Sequence, residues 1–441
     1  MIRSEFTYSK DIFFEFVGLG RAVVFNGEKT YRFSSKKRIS NIIERIYNAV
    51  NNYYLTVGMN AYELETKDYK LGATEVMEHV FTRPGFPEMM HECRKNNKVS
   101  FIKLYKLTIE QLLIALENSF ISTIESVEAI QRAKEIILDN ESAIIRIIKR
   151  ELLNELLEKY NSPVIVVLET FHIEYLYQIS KQVKGFVIRD AHNKDEIVEF
   201  AHAYEIPMIE SQDIIKHHNK IIIDNINKNF YINPKRKIQR LYNEKIDQLL
   251  IKPNQEAKYK MKLHRYYAPM VDLRYLSLIK NSSFYAGMAT YRPEYLFMTK
   301  GMLPTEEEFI HIFREIFDAF SDGEIYIQTP DIGDMKTLDF LPNINAYIKN
   351  FIYGHGIVFN VFFSALNAVI KERQKQIHLV VPMIRDRIEV IPWKERIKDL
   401  FSNLPKDIQP LFGFQLETET SVDYIEDFVK TDFNIIGLDT L

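Results

Sequence analysis

A single cysteine, Cys93, serves all 441 residues, so no disulfide can form within the chain. Glycine is scarce as well. Its 15 residues are about half of the roughly 7% usual in proteins, and the glycine-rich loops that cradle phosphates are expected to be few. A composition skewed towards Ile, Lys, Asn, Tyr and Phe explains the same scarcity without reference to function. No stretch approaches the about eighteen uninterrupted apolar residues of a membrane helix, and runs such as Val164 to Leu168 have the length of buried strands. Membrane insertion is therefore not expected. Charge of one sign is also missing: 57 basic against 60 acidic side chains leave a formal charge of -3, which offers no global field to nucleic acid or to an acidic membrane. The opening MIRSEFTYSKDIFFEF lacks the basic, apolar, small-residue order of a signal peptide, and a cytoplasmic protein is expected. What is present, 46% hydrophobic and 27% charged residues, is the composition of a globular protein too long for one core.

The patterning divides the chain. Residues 35–160 read as all-helical, because segments such as IEQLLIALENSF and SAIIRIIKRELLNELLEKY carry apolar residues at three- and four-residue spacing. Before them lies the β-like EFVGLGRAVVF. After them short apolar runs alternate with helical stretches: VIVVLE, GFVI, IPMI, KIIID and FYIN, each bounded by turn residues. Residues 1–34 and 161–235 thus form one α/β domain, into which the helical region is inserted. PKRKIQRLYNEKIDQLL opens a linker helix over 236–257. From 258 to 441 six strand-like segments, KMKLHR, AGMATY, EIYIQT, IHLVVPMI, LFGFQLE and FNIIGL, alternate with helix-length material. A parallel β/α array follows. Six strands fall short of the eight of a closed (β/α)8 barrel, so the barrel is expected to be incomplete.

Thr290 to Phe309, TYRPEYLFMTKGMLPTEEEF, resembles the run YRTEFLFM...LPTEEEQF of enzyme I of the phosphoenolpyruvate (PEP)-dependent sugar phosphotransferase system. Ile327 to Lys336 is similar to that family's IRTLDIGGDK, VPMI at 381–384 to FPMI, Leu416 to Thr418 to the VETP strand end, and Gly437 to Leu441 to GTNDL. Upstream, Lys184 to Val187, Glu205 to Pro207 and NKIIIDNINKNFYINP resemble the family's phosphohistidine swivelling domain. The resemblance implies a swivelling α/β domain with a helical insertion that docks the carrier protein HPr, then a linker helix and a TIM-type barrel that binds PEP and magnesium. It also implies a histidine that takes the phosphoryl group from PEP and passes it on.

Position by position, the chemistry is eroded. Glu196 stands where the family has its phosphoacceptor histidine, and a carboxylate brings a like charge towards an anionic donor. Asp195 and Glu196 also simply suit the first turn of a helix. His192, four residues earlier in the turn, is the alternative acceptor. In the barrel, Arg292 matches the family's first PEP-binding arginine. Gln328 falls on the second, and a neutral amide replaces neither its charge nor its fork. Of the magnesium ligands, Glu417 matches one carboxylate; Thr440 takes the other's place, with Asp439 next to it as the candidate substitute. A shift by one residue on a strand reverses the side chain, which counts against the metal. Arg292 and Glu417 read equally well as an ion pair between strand ends. The family's acid/base cysteine and a late arginine lie on strands beyond Leu441, and Cys93 has no such role. The expectation is a degenerate, shortened enzyme I-like protein that acts by binding a protein or an anionic metabolite. Its exposed barrel edges call for a second copy or another chain. The alternative is active phosphoryl transfer to an HPr-like carrier through His192.

Overall fold

The computed structural model describes residues 17–25, 30–32, 42–50, 52–53, 98–117, 124–192, 197, 200–201, 204, 206–251, 267–270, 287–331, 356–384, 389–416 and 432–436. The chain forms two compact units, Met1–Leu249 (with Asp339–Pro342) and Leu250–Leu441 without that short piece.

The first unit is built on a six-stranded sheet. Its strands are β1 (Val17–Phe25), β4 (Val164–Thr170), β5 (Val183–Asp190), β6 (Met208–Glu210), β7 (Lys220–Asp224) and β8 (Asn229–Ile232), in the order β6-β5-β4-β1-β7-β8. The four from β6 to β1 run parallel, and the hairpin β7–β8 adds antiparallel to β1. The first five residues of β4, Val164 to Leu168, are all buried. A central strand covered on both faces needs that continuous apolar run rather than an alternation. One face of the sheet gathers Ala22, Ile165, Val167, Val187, Ile209, Ile221 and Ile223 into a core.

Residues 26–163 lie between the neighbouring strands β1 and β4. They contribute the helices α1 (Phe101–Glu117), α2 (Ile124–Asp139) and α3 (Glu141–Leu157), together with helical residues 42–50. Residues 35–160 were expected to be wholly helical, and among the described residues one short piece is not. Lys98–Ser100 (β3) pairs antiparallel with Thr30–Arg32 (β2), an outcome that three-residue strands without an apolar period do not announce. Helix α3 is fastened to the 3₁₀ turn Ile173–Leu176 after β4. Arg146 Nε donates to Glu174 Oε1 at 2.6 Å, and the buried Arg150 guanidinium lies 4.7 Å from the centre of the Tyr177 ring. His172 sits in the same seam, where burial, then Arg146 and Lys149, hold its pKa down at about 4. Helix α4 (Arg236–Ile251) follows β8, and the Tyr242 hydroxyl anchors it to the buried Asp224 at 2.7 Å.

The second unit is the expected partial barrel. Its strands β9 (Tyr267–Met270), β10 (Gly287–Tyr291), β11 (Glu324–Gln328), β12 (His378–Val381), β13 (Leu411–Leu416) and β14 (Phe433–Ile436) are all parallel and pair in sequence order. KMKLHR, read as the first barrel strand, lies outside the described residues, and β9 is the first strand of this sheet. When each crossover leads to the next strand, the helices collect on one side and the sheet curls round the other. At Gly287 a Cβ would stand 2.0 Å from the Glu324 carbonyl, so the absence of a side chain is what lets β10 approach β11.

The helical layer comprises α5 (Glu294–Lys300), α6 (Glu306–Ala319), α7 (Ile357–Arg373) and α8 (Val390–Leu400). Gly301, at φ 65°, ends α5 in the left-handed conformation that glycine adopts at least cost. Four residues on, Thr305 and Glu308 form a capping box that starts α6. Phe309, Phe313 and Phe362 interlock α6 and α7 at ring separations of 5.5–5.6 Å. Among the described residues no helix is long and apolar enough to cross a membrane.

Candidate functional site

Because β9 to β14 run in one direction, the residues that follow each strand gather on one rim. Arg292 follows β10, Gln328 ends β11, and Pro382 to Ile384 follow β12. The register fixes which way they turn. Tyr291 pairs with Ile327, and its ring meets Phe313 of α6 edge-on at 6.1 Å, so this pair faces the helices. By strand alternation the next residue of β11, Gln328, faces the inner side, and Arg292 directly follows the end of β10.

Gln328 is 1% exposed, and its Nε2 donates to Oε1 of Glu294 at 3.3 Å. Glu294 is 0% exposed and opens α5 two residues after Arg292. Sequence reasoning missed this carboxylate, although it falls on a glutamate of the run that carries the resemblance. A buried carboxylate is tolerated only with donors around it, and the amide of Gln328 is one of them. The other end of that amide, Oε1, meets no hydrogen-bond donor among the described residues, and neither does the fully buried Thr329 hydroxyl. Deeper on the inner face the rings of Tyr326 and His378 stack at 4.0 Å. Burial lowers the His378 pKa, against the opposing pull of the Glu324 and Asp432 carboxylates. A barrel interior is usually lined with branched apolar residues, so Tyr326, Gln328, His378 and the buried Gln415 make this one unusually polar.

The other sequence candidates are Glu417, Asp439, Glu196 and His192. Glu417, Asp439 and Glu196 lie outside the described residues. Among the described residues no group of three or more His, Cys, Asp or Glu side chains could hold a metal ion. His192 stands in the turn two residues past β5. Its Nε2 donates to Oδ2 of Asp190 at 2.9 Å, with the two side chains 73% and 56% exposed. His217 is already occupied: Nδ1 accepts the Val24 backbone N–H at 3.2 Å and Nε2 lies 2.8 Å from the Tyr160 hydroxyl. A ring that accepts at Nδ1 is neutral with its proton on Nε2, so both nitrogens serve the loop.

Residues 279–439 match the family described as PEP-utilising enzyme, PEP-binding domain. That segment is similar to the PEP-binding domain of PEP-utilising enzymes. Proteins named phosphoenolpyruvate-protein phosphotransferase are similar over longer stretches. One from Buchnera aphidicola subsp. Acyrthosiphon pisum is 26% identical over 349 residues, 71% of this chain and 60% of the relative. One from Buchnera aphidicola subsp. Schizaphis graminum is 24% identical over 77% of this chain and 65% of the relative, and one from Staphylococcus aureus 24% over 60% and 50%. The chain thus spans between half and two thirds of the length of these relatives. An NMR solution structure of an Enzyme I protein is 15% identical, covering 53% of this chain and 96% of that one, with a TM-score of 0.24. Arg292, Glu294 and Gln328 all fall inside the matched segment.

Proposed function

We propose that this chain is an enzyme I-like protein that works by binding, with a small carboxylate metabolite at the mouth of the partial barrel, and without phosphoryl transfer. The observation that carries the reading is Gln328. At the position of a second arginine stands a neutral amide, buried and engaged with the Glu294 carboxylate. Stabilising a transferring phosphoryl group calls for several fixed cations, and loss of one such partner typically costs a factor of about a hundred or more in rate. In this proposal the helical region over 35–160 offers a docking place for an HPr-like carrier, and the edges of the partial barrel are covered by a second copy or another chain. The layout of a swivelling domain, insertion, linker and barrel, and a cytoplasmic location, belong to the same reading. Magnesium enters no step of it.

The test is to incubate the purified chain with PEP and magnesium, with and without HPr, and to weigh the intact protein under non-acidic conditions. An unchanged mass is expected; a gain of one phosphoryl group refutes the reading.

One observation favours a second reading, active transfer through His192. Its Nε2–H is held by Asp190, which leaves the lone pair on Nδ1 directed elsewhere and makes the ring a better nucleophile. Radiolabelled PEP decides between the two. An acid-labile label that vanishes in His192→Ala establishes transfer, and no label ends it.

A further inference from the structure

The starts of β7 and α4 carry cations where local physics disfavours them. Arg21 and Lys220 stand directly opposite one another in the antiparallel pairing of β1 with β7, an arrangement in which like charges repel. Lys220 Nζ donates to Gln239 Oε1 at 2.8 Å, which sets it beside the first turns of α4. Lys235 immediately precedes that helix and Arg236, Lys237 and Arg240 follow, with no acidic residue in the first turn. Cations there oppose the helix dipole, and Arg236 and Lys237 precede Arg240 by four and three residues, spacings at which like charges repel. All six residues are exposed, and among the described residues none of them forms an ion pair; Glu244, one turn beyond Arg240, makes none with it. Leu241, next to Arg240 and one turn on from Lys237, is 61% exposed. A chain with a formal charge of only -3 has thus collected unpaired cations round one exposed leucine. Local choices that cost stability without a compensating contact mark functional surfaces, and an apolar centre with a charged rim is the anatomy of a docking surface.

We propose that this face of the first unit docks an acidic peptide segment of a partner protein, with an apolar side chain of the segment covering Leu241 and its carboxylates meeting the cations of α4 and β7. Charge complementarity calls for an anion, and Leu241 decides its kind. The backbone of a nucleic acid offers phosphates and sugars, with nothing apolar to cover a leucine. An acidic membrane takes up a helix through a broad apolar face, whereas Leu241 is followed by Asn243 and Glu244, both exposed. An acidic peptide with an apolar anchor supplies both halves of the contact. This surface shares no residue with the barrel mouth or with the helical region over 35–160, so it stands or falls apart from the binding reading above.

Fluorescence anisotropy on the full chain tests this, with the labelled peptide Glu-Asp-Glu-Leu-Leu-Asp-Glu-Glu as probe. Binding is expected at low salt and should weaken about tenfold or more between roughly 50 and 300 mM salt, because the pairs are exposed to screening. Lys237→Glu combined with Arg240→Glu is expected to weaken it at least about tenfold, and Leu241→Ser about fivefold, the worth of a partly buried leucine. A probe with both leucines replaced by serine should bind the unaltered chain about fivefold more weakly and be indifferent to Leu241→Ser, which ties the leucines to one another. The substituted side chains are exposed, and circular dichroism checks that the variants fold. The assignment is overturned if the peptide does not bind at about millimolar concentration, or if its affinity ignores either the charge reversal or Leu241→Ser. It is overturned equally if a single-stranded oligonucleotide or vesicles of phosphatidylglycerol bind the unaltered chain more tightly than the peptide.

Discussion

Acid should loosen the first unit through one residue. His172 lies in the seam between α3 and the 3₁₀ turn, where burial first, then the Arg146 and Lys149 charges, lower its pKa from 6.5 to about 4. In the unfolded chain the ring takes up its proton as the pH falls through 6.5, whereas the folded chain resists until about pH 4. Between those values the unfolded state binds more protons, so stability is fully present above pH 6.5 and is lost progressively towards pH 4. A displacement of that size corresponds to about 3 kcal/mol, a large share of the roughly 5–15 kcal/mol by which a domain is stable. The assay is urea unfolding at pH 7, 6, 5 and 4.5 for the unaltered chain and His172→Gln, with the difference between the two curves as the quantity of interest. Carboxylates and the other histidines titrate in both proteins and cancel. The single tryptophan, Trp393, belongs to the second unit, so its fluorescence serves as an internal control. The pH-dependent difference should show in circular dichroism of the first unit's transition and be absent from the tryptophan signal. A difference that stays constant from pH 7 to 4.5, or an NMR titration placing His172 near 6.5, refutes the reasoning.

Three further outcomes are expected. Lys375 donates to the carbonyls of Phe320, Ser321 and Gly323 at 2.6–2.7 Å, closing the end of α6, so Lys375→Met should lower the stability reported by Trp393 fluorescence by about 1–3 kcal/mol. Thr305→Ala removes the capping-box hydroxyl of α6 and should cost about 1 kcal/mol in the same transition, with Thr305→Ser restoring most of it. Glu174→Ala leaves the Arg146 charge without its carboxylate in the α3 seam and should destabilise the first unit by about 3 kcal/mol or somewhat more; a loss below about 0.5 kcal/mol would mean that this pair does not fasten the helix.

Most of the strands were legible in the residues because their signal is local. The run VIVVLE became β4 with its first five residues buried, KIIID became β7 at its expected bounds, and EIYIQT, LFGFQLE and FNIIGL became β11, β13 and β14. The alternation of such runs with helix-length segments sufficed for the α/β class and for a partial barrel. Resemblance of short runs pointed to the PEP-utilising enzymes and placed Arg292 and Gln328 on neighbouring strands. The pairing of Lys98–Ser100 with Thr30–Arg32 was not legible, since two three-residue strands brought together across a long stretch of chain carry no period of their own.

Sequence by itself therefore determined element type, sheet class and a resemblance to PEP-utilising enzymes, all of which follow from spacing and residue type within some twenty positions. Only the tertiary structure decided what surrounds each polar group. The Glu294–Gln328 contact spans 34 positions and exists because parallel register sets the ends of β10 and β11 side by side. The lowered pKa of His172 exists because the ring is buried in the seam between α3 and the chain that leaves β4, with Arg146 and Lys149 of α3 adding to the effect. Burial and hydrogen-bond partners depend on strand order and helix docking, which join residues that no local pattern connects.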